Sequence, residues 1–253
     1  VPSVTLVYFA TMDPRMQSAY SQQASIEVER QLSERGTYSI GYQYVRGQSL
    51  IMTVNQNVPT CVASGNNNGC PPNPAYANNN QYSPVAHSNY HGLHASFVQR
   101  PTAWGSFRVN YTYSKSMNNV GEFFFSQPID PFDLSKDWGR SDDDQRHRFV
   151  VNGTVNTPMT PAASAWERIS HGFQLSGILQ NYSSLPFNIL SGVTTVNGTA
   201  GRPIVDGEFI ERNAGESTPF FTLGLRVSRS FRVGPTTVEG IAEGFNLTNH
   251  TNV

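Results

Sequence analysis

Apolar and polar residues alternate with a period of two along most of this chain. Ala24, Ile26 and Val28 fall on one side of residues 18–32, with Ser25, Glu27 and Glu29 on the other. Tyr38, Ile40, Tyr42 and Tyr44 then alternate with Thr37, Ser39, Gly41 and Gln43. The pattern continues through Leu93, Ala95 and Phe97 in residues 89–99, and is cleanest where Phe107, Val109, Tyr111 and Tyr113 oppose Arg108, Asn110, Thr112 and Ser114. It returns at residues 145–156, 167–182 and 218–231, and more weakly at 236–247. Such a period marks β-strands with two unlike faces. The segments run about 10 to 16 residues, longer than most strands of soluble domains and enough for a tilted membrane crossing.

The connections between these strands alternate in length. Short ones fall at residues 33–36, 100–103, 158–165 and 232–235. Long ones fall at 54–88, 115–144 and 183–217, and residues 1–17 read as the tail of another. Short turns at one end and long loops at the other are the arrangement of an up-and-down transmembrane β-barrel, whose periplasmic turns are short and whose extracellular loops are long. The expected fold is therefore all-β: an antiparallel meander of about eight long strands forming an open segment of a large outer-membrane barrel. Residues 1–253 form a single partial barrel domain on this reading. Trp104 and Trp166 fall at short turns, and Tyr44, Tyr90, Tyr113 and Tyr182 at the other strand ends, as expected of two aromatic girdles.

Composition narrows the classes. Only 14% of the 253 residues are charged and the net charge is −1. A soluble domain carries roughly 25% charged residues, and no basic run favours nucleic acid. No apolar run approaches the roughly 20 residues of a membrane helix. Barrel strands escape that test because only alternate residues meet lipid. The ends, Val1 and Thr251-Asn252-Val253, read as cut, so the chain is expected to be a piece of a longer precursor. Cys61 and Cys70 flank a short polar loop and are expected to form a disulfide in an oxidising, extracytoplasmic setting.

Gln22-Gln23-Ala24-Ser25-Ile26-Glu27-Val28-Glu29-Arg30-Gln31-Leu32 resembles a strand of TonB-dependent receptors of the Oar-like, carboxypeptidase-regulatory-domain type. Gly41-Tyr42-Gln43-Tyr44-Val45-Arg46-Gly47, Ser88-Asn89-Tyr90-His91-Gly92-Leu93 and Val109-Asn110-Tyr111-Thr112-Tyr113-Ser114-Lys115-Ser116 follow in the right order. The most specific match is Ser141-Asp142-Asp143-Asp144-Gln145-Arg146-His147-Arg148-Phe149-Val150, and Ala242-Glu243-Gly244-Phe245-Asn246-Leu247-Thr248-Asn249-His250 closes the series. The resemblance implies the C-terminal part of a plugged barrel of about 22 strands. It implies an outer-membrane location in a lipid bilayer, a plug domain and a TonB-type coupling protein acting through the N-terminal part, and capture of an unknown extracellular ligand for energised uptake. Plug, coupling box and terminal strand are expected to be missing from this piece. Two other readings stand beside it: a structural or adhesive barrel without transport, and a soluble secreted β-sandwich binding module.

Candidate chemistry is sparse. Asp142-Asp143-Asp144 before Arg146-His147-Arg148 is the one dense charge cluster, read as an ion-pair network at the barrel mouth rather than a Ca²⁺ site, because the spacing is not that of a calcium loop. His91 and His94 lie an odd number of residues apart, so a strand sends them to opposite faces and they share no metal. No catalytic motif stands in a supporting context, so no enzyme, cofactor or metal is expected. The candidate lumen-facing contacts for a ligand or plug are Arg108, Asn110, Thr112, Arg148, Asn152, Arg226, Glu239 and Glu243. Phe123-Phe124-Phe125, Trp138 and residues 66–68 are candidates for the capture surface in the loops.

Overall fold

The computed structural model describes residues 7–59, 70–121, 127–158, 164–193 and 201–252. Eight long strands form one sheet: β2 (Tyr20–Gln31), β3 (Gly36–Asn55), β4 (Tyr76–Thr102), β5 (Gly105–Asn118), β7 (His147–Asn156), β8 (Phe173–Tyr182), β13 (Phe220–Val233) and β14 (Thr236–Gly244). Each pairs antiparallel with its neighbours, in the order β14-β13-β8-β7-β5-β4-β3-β2. This is the expected meander, with β2 and β14 as its two edges. Smaller strands decorate it. β1 (Val7–Met12) runs parallel to the start of β4, and β6 (Gly139–Arg140) pairs with the end of β5. In the loop after β8, β9 (Pro186–Phe187) pairs with β12 (Gly215–Glu216), and β10 (Ile204–Val205) with β11 (Glu208–Phe209).

The register lines up the apolar positions across the sheet. One row runs Val28, Ile40, Ala95, Tyr111 and Phe149; the next runs Tyr38, Phe97, Val109, Val151, Leu179 and Leu223. Directly paired residues share a face, so these rows make a continuous apolar band. The band covers nothing. Ile26, Ile40, Tyr42, Tyr111 and Leu175 are exposed, and Val109, Val151 and Leu223 are only half-buried. Among the described residues the buried apolar side chains are Met52, Val54, Val58, Ala86, Val120 and Ile129, all at the long-loop end. A sandwich would bury Tyr42 and Tyr111 between two sheets. A single sheet with a naked apolar face needs a bilayer to cover it.

The turns obey the expected polarity, with additions. Residues Ala103-Trp104 connect β4 and β5 tightly, and Gly105 at φ +141° accepts what a side chain cannot, since a Cβ there would lie 2.0 Å from the Thr154 carbonyl oxygen. Gly234-Pro235 connect β13 and β14, with Gly234 at φ +63°. The connection after β7 is longer than expected. It holds the helix α1 (Ala165–Ser170), whose Ser164 side chain accepts from the Glu167 backbone N–H while Glu167 reaches back. Residues 167–172 are thus not strand; the Ser-x-x-Glu capping box outweighs the alternation there. At the other end, β3 and β4 extend well into the expected loop 54–88. Two bulges, one on each strand, bracket Leu50 and cancel in register. Pro84, which lacks a ladder N–H, and Ser49 at φ +55° mark them. Beyond the bulges Met52, Val54 and Ala86 pack with Val120, Leu50 and Leu134 into the small core of the loop layer. β1 also departs from the expected loop tail: Val7–Met12 adds to the free edge of this β4 extension, where β5 has already ended.

Candidate functional site

The face opposite the apolar band is polar, and it gathers the sequence-derived candidates. Arg108 stands directly across from Asn152, Thr112 from Arg148, and Asn110 from Val150. Arg226 pairs with Glu243 at 3.2 Å, and Glu239 lies across from Ser230. All eight positions share one face of the sheet. Arg148 lies over the Tyr182 ring at 4.8 Å, and Tyr182 stacks on Phe220 at 5.2 Å. His94 also faces this side, its ring covering Gly41, where a Cβ would come within 2.3 Å of Nε2. At the turn end the wall hollows into a cavity of about 690 Å³ lined by Trp104, Asn156, Gln174, Ser228 and Glu239.

Two girdle assignments change. Tyr44 and Tyr113 face the apolar side, but Tyr90 and Tyr182 occupy the polar side by parity of the ladder. His91 and His94 separate as their odd spacing requires. His91 Nδ1 lies 2.7 Å from the Tyr42 hydroxyl on the apolar face, His94 faces the polar wall, and His87 stacks on Trp138 at 4.7 Å in the loop layer. Among the described residues no three His, Cys, Asp or Glu groups are placed to hold a metal.

The charge cluster is an ion-pair network. Asp144 is fully buried; it accepts from the Ser116 backbone N–H at 2.7 Å and from Arg140 Nε and Arg146 Nε, each at 2.8 Å. Arg140 continues to Glu216 at 2.8 Å. Asp142 accepts from Arg212 at 3.1 Å and from the Asn213 amide at 2.7 Å, and Arg212 also donates to Asn118. Arg202 pairs with Asp137 at 3.3 Å and donates to the Lys136 carbonyl. These contacts tie the loop after β5 to the loop after β8 across roughly seventy residues of sequence. The Arg140 guanidinium holds the Glu216 carboxyl below its ordinary range, whereas burial pushes Asp137 above it.

Arg140, Arg202, Arg212, Asn213 and Glu216 were not among the residues singled out from sequence. Their signal was present: each is a charged or amide side chain in a Gly- and Pro-rich loop of a chain poor in charge. What periodicity cannot give is their long-range pairing. Cys61, Phe123-Phe124-Phe125 and residues 66–68 lie outside the described residues; Cys70 and Trp138 lie within them, Cys70 exposed and Trp138 packed on His87.

Comparison with known proteins agrees with this geometry. No curated protein matches the sequence. Among solved structures, the outer membrane transporter YddB from Escherichia coli is similar, with a TM-score of 0.60 at 10% identity, over 98% of this chain and 31% of that one. The chain thus spans about a third of the length of that transporter, and at this identity the likeness concerns the fold. The family described as outer membrane beta barrel domain matches residues 1–215. With its strands in one meander, its apolar face bare and its long loops braced at one end, the chain belongs to the outer membrane beta barrel domain family and resides in the outer membrane.

Proposed function

We propose that this chain is part of the barrel wall of a TonB-dependent receptor that captures an extracellular ligand and imports it with energy from a periplasmic coupling protein. The observation that carries the reading is the pairing of a polar wall with a braced loop layer above it. The wall offers Arg108, Asn110, Thr112, Arg148, Asn152, Arg226, Glu239 and Glu243 on the face that a closed barrel turns inward. The loop layer, locked by Asp144, Asp142 and Arg212, offers a preorganised surface rather than loose strands of chain. The motif resemblance supplies the family, and the likeness to an outer membrane transporter is in keeping with it.

In this reading the eight wall residues contact the ligand or the plug, the loops select, and the chain has no catalytic role. A test is growth of cells carrying the full-length protein, or lacking it, on mixtures of peptides, glycans and metal chelates. One class should be depleted from the medium only when the protein is present, and an uncoupler should stop it. Depletion indifferent to the uncoupler would point to passive passage. Surface adhesion without depletion would favour the structural alternative.

A further inference from the structure

The apolar band ends, on the loop side, in a stripe where cations and aromatic rings replace aliphatic residues. Tyr44 and Lys115 stand directly opposite His91 on its two flanks, and Arg46 stands opposite Asn89, one pair higher. Tyr42 bonds His91 at 2.7 Å, and the Tyr44 and His91 rings lie 4.9 Å apart. The unit recurs beside it. Tyr111 bonds His147 Nδ1 at 2.8 Å, and the Tyr113 and His147 rings lie 5.2 Å apart. Lys115, two residues beyond Tyr113 on the same face, stands between the two units. Arg46, His91, Lys115 and His147 are all exposed.

The charge here is unbalanced. On this face β2 to β5 and β7 carry no Asp or Glu. Neither Arg46 nor Lys115 makes an ion pair among the described residues. Both point to the side that a membrane barrel turns toward lipid, at the level where its apolar band stops. Below them, Ile40, Leu93 and the small Ala95 continue the apolar surface. A cationic, hydrogen-bonding upper edge joined to an apolar surface has the chemistry of one kind of molecule: a lipid with an anionic head.

We propose that Arg46 and Lys115, framed by the two His–Tyr units, bind the headgroup phosphate of a phosphorylated glycolipid in the outer leaflet. Arg46 presents a guanidinium fork suited to phosphate oxygens, and Lys115 supplies a point charge. Arg46 on β3 and Lys115 on β5 stand two strand spacings apart and one pair out of line, about 12 Å from backbone to backbone, a span that their two long side chains can close on one phosphate group. The acyl chains lie along Leu93 and Ala95. The rigid Tyr–His bonds hold the aromatic collar at the interface, where such rings favour the headgroup level. The site depends on the outer-membrane location and not on what the barrel transports.

The test uses the full-length protein in detergent, with native mass spectrometry as readout. The probes are bisphosphorylated lipid A, the same lipid stripped of phosphate, and phosphatidylethanolamine. Bisphosphorylated lipid A is expected to stay bound while the other two are lost. Replacing both cations, Arg46→Gln with Lys115→Gln, is expected to weaken retention by about tenfold or more. Arg46→Lys, which keeps the charge, loses much less. Arg30→Gln, on the same face at the turn end, changes nothing. Heat-modifiable migration in gels checks that each variant is folded; if the double variant is not, Lys115→Gln alone carries the comparison. Equal retention of the stripped lipid, unchanged retention by folded cation variants, or displacement by millimolar inorganic phosphate would each overturn the proposal.

Discussion

At the scale of single residues, the account rests on which face each side chain takes. Val109 and Asn110 are neighbours in sequence but sit in different worlds: Val109 in the apolar row between Phe97 and Val151, Asn110 across from Val150 on the polar wall. Val109→Arg is expected to cost about 2 to 4 kcal/mol of stability in a bilayer, near its midplane. Asn110→Arg is expected to cost little. Unfolding from lipid vesicles in denaturant measures both, and equal costs would contradict the assignment of faces. Asp144 is the other residue with large leverage. Removing this buried carboxylate leaves Arg146 without its partner and Arg140 with Glu216 alone, a loss of up to about 3 to 5 kcal/mol. Asp144→Ala should free the loop layer while the wall stays intact, so trypsin should cut at Arg140 or Arg146 in the otherwise folded variant. For Cys61 and Cys70 the expected disulfide predicts that neither thiol of the exported protein labels until it is reduced.

At the scale of elements, the loop after β5 and the loop after β8 act as one unit because three arginines cross between them. Their response to acid can be signed. Glu216 titrates below its ordinary value because Arg140 donates to it, so its stabilising contribution is present above the normal Glu range of about 4.3 and is lost as pH falls through the lowered value. Asp137 has the opposite sign: burial raises its value, so its contribution is present in acid and lost as pH rises through the raised value. Acidification should therefore loosen the Arg140–Glu216 tie. Loop protection measured by hydrogen exchange should fall below about pH 4 in the native chain, and Glu216→Gln should start looser and lose this dependence. Protection that is unaffected by the substitution would remove Glu216 from the brace.

Elements also show where sequence reading succeeds and where it stops. β5 and β7 were legible because lipid on one side and polar surroundings on the other impose strict alternation. α1 was not, because Ile169 and Phe173 keep the parity of Leu175 and Leu179 and so extend the alternation backwards, and the capping box of Ser164 and Glu167 is a weaker sign than a periodic face. The extension of β4 through Asn78, Asn79 and Asn80 was missed for another reason. It buries little apolar surface and is held by its backbone ladder to β3 and β1, which leaves no hydrophobic period to read. The Asp142–Arg212 and Arg140–Glu216 pairs lie beyond any local signal. The candidate wall residues were legible as a set, since parity alone puts them on one face.

At the scale of the molecule, the organising fact is an inverted distribution of apolar side chains. A soluble domain of this length buries its apolar residues in a core. Here the buried ones among the described residues belong to the loop layer, and the long strands leave theirs bare. The fold is therefore completed by lipid on one face and by an enclosed polar interior on the other, and in detergent-free solution the chain should aggregate through its apolar belt. The most direct measurement is a cysteine scan of residues 107 to 112 in lipid vesicles, with Cys61 and Cys70 replaced by Ser and a spin label at each position. The account predicts a period of two. Labels at Phe107, Val109 and Tyr111 should be relaxed by lipid-soluble oxygen, and labels at Arg108, Asn110 and Thr112 by a water-soluble paramagnetic complex. A reversed phase, or six labels that all meet water alike, would contradict it.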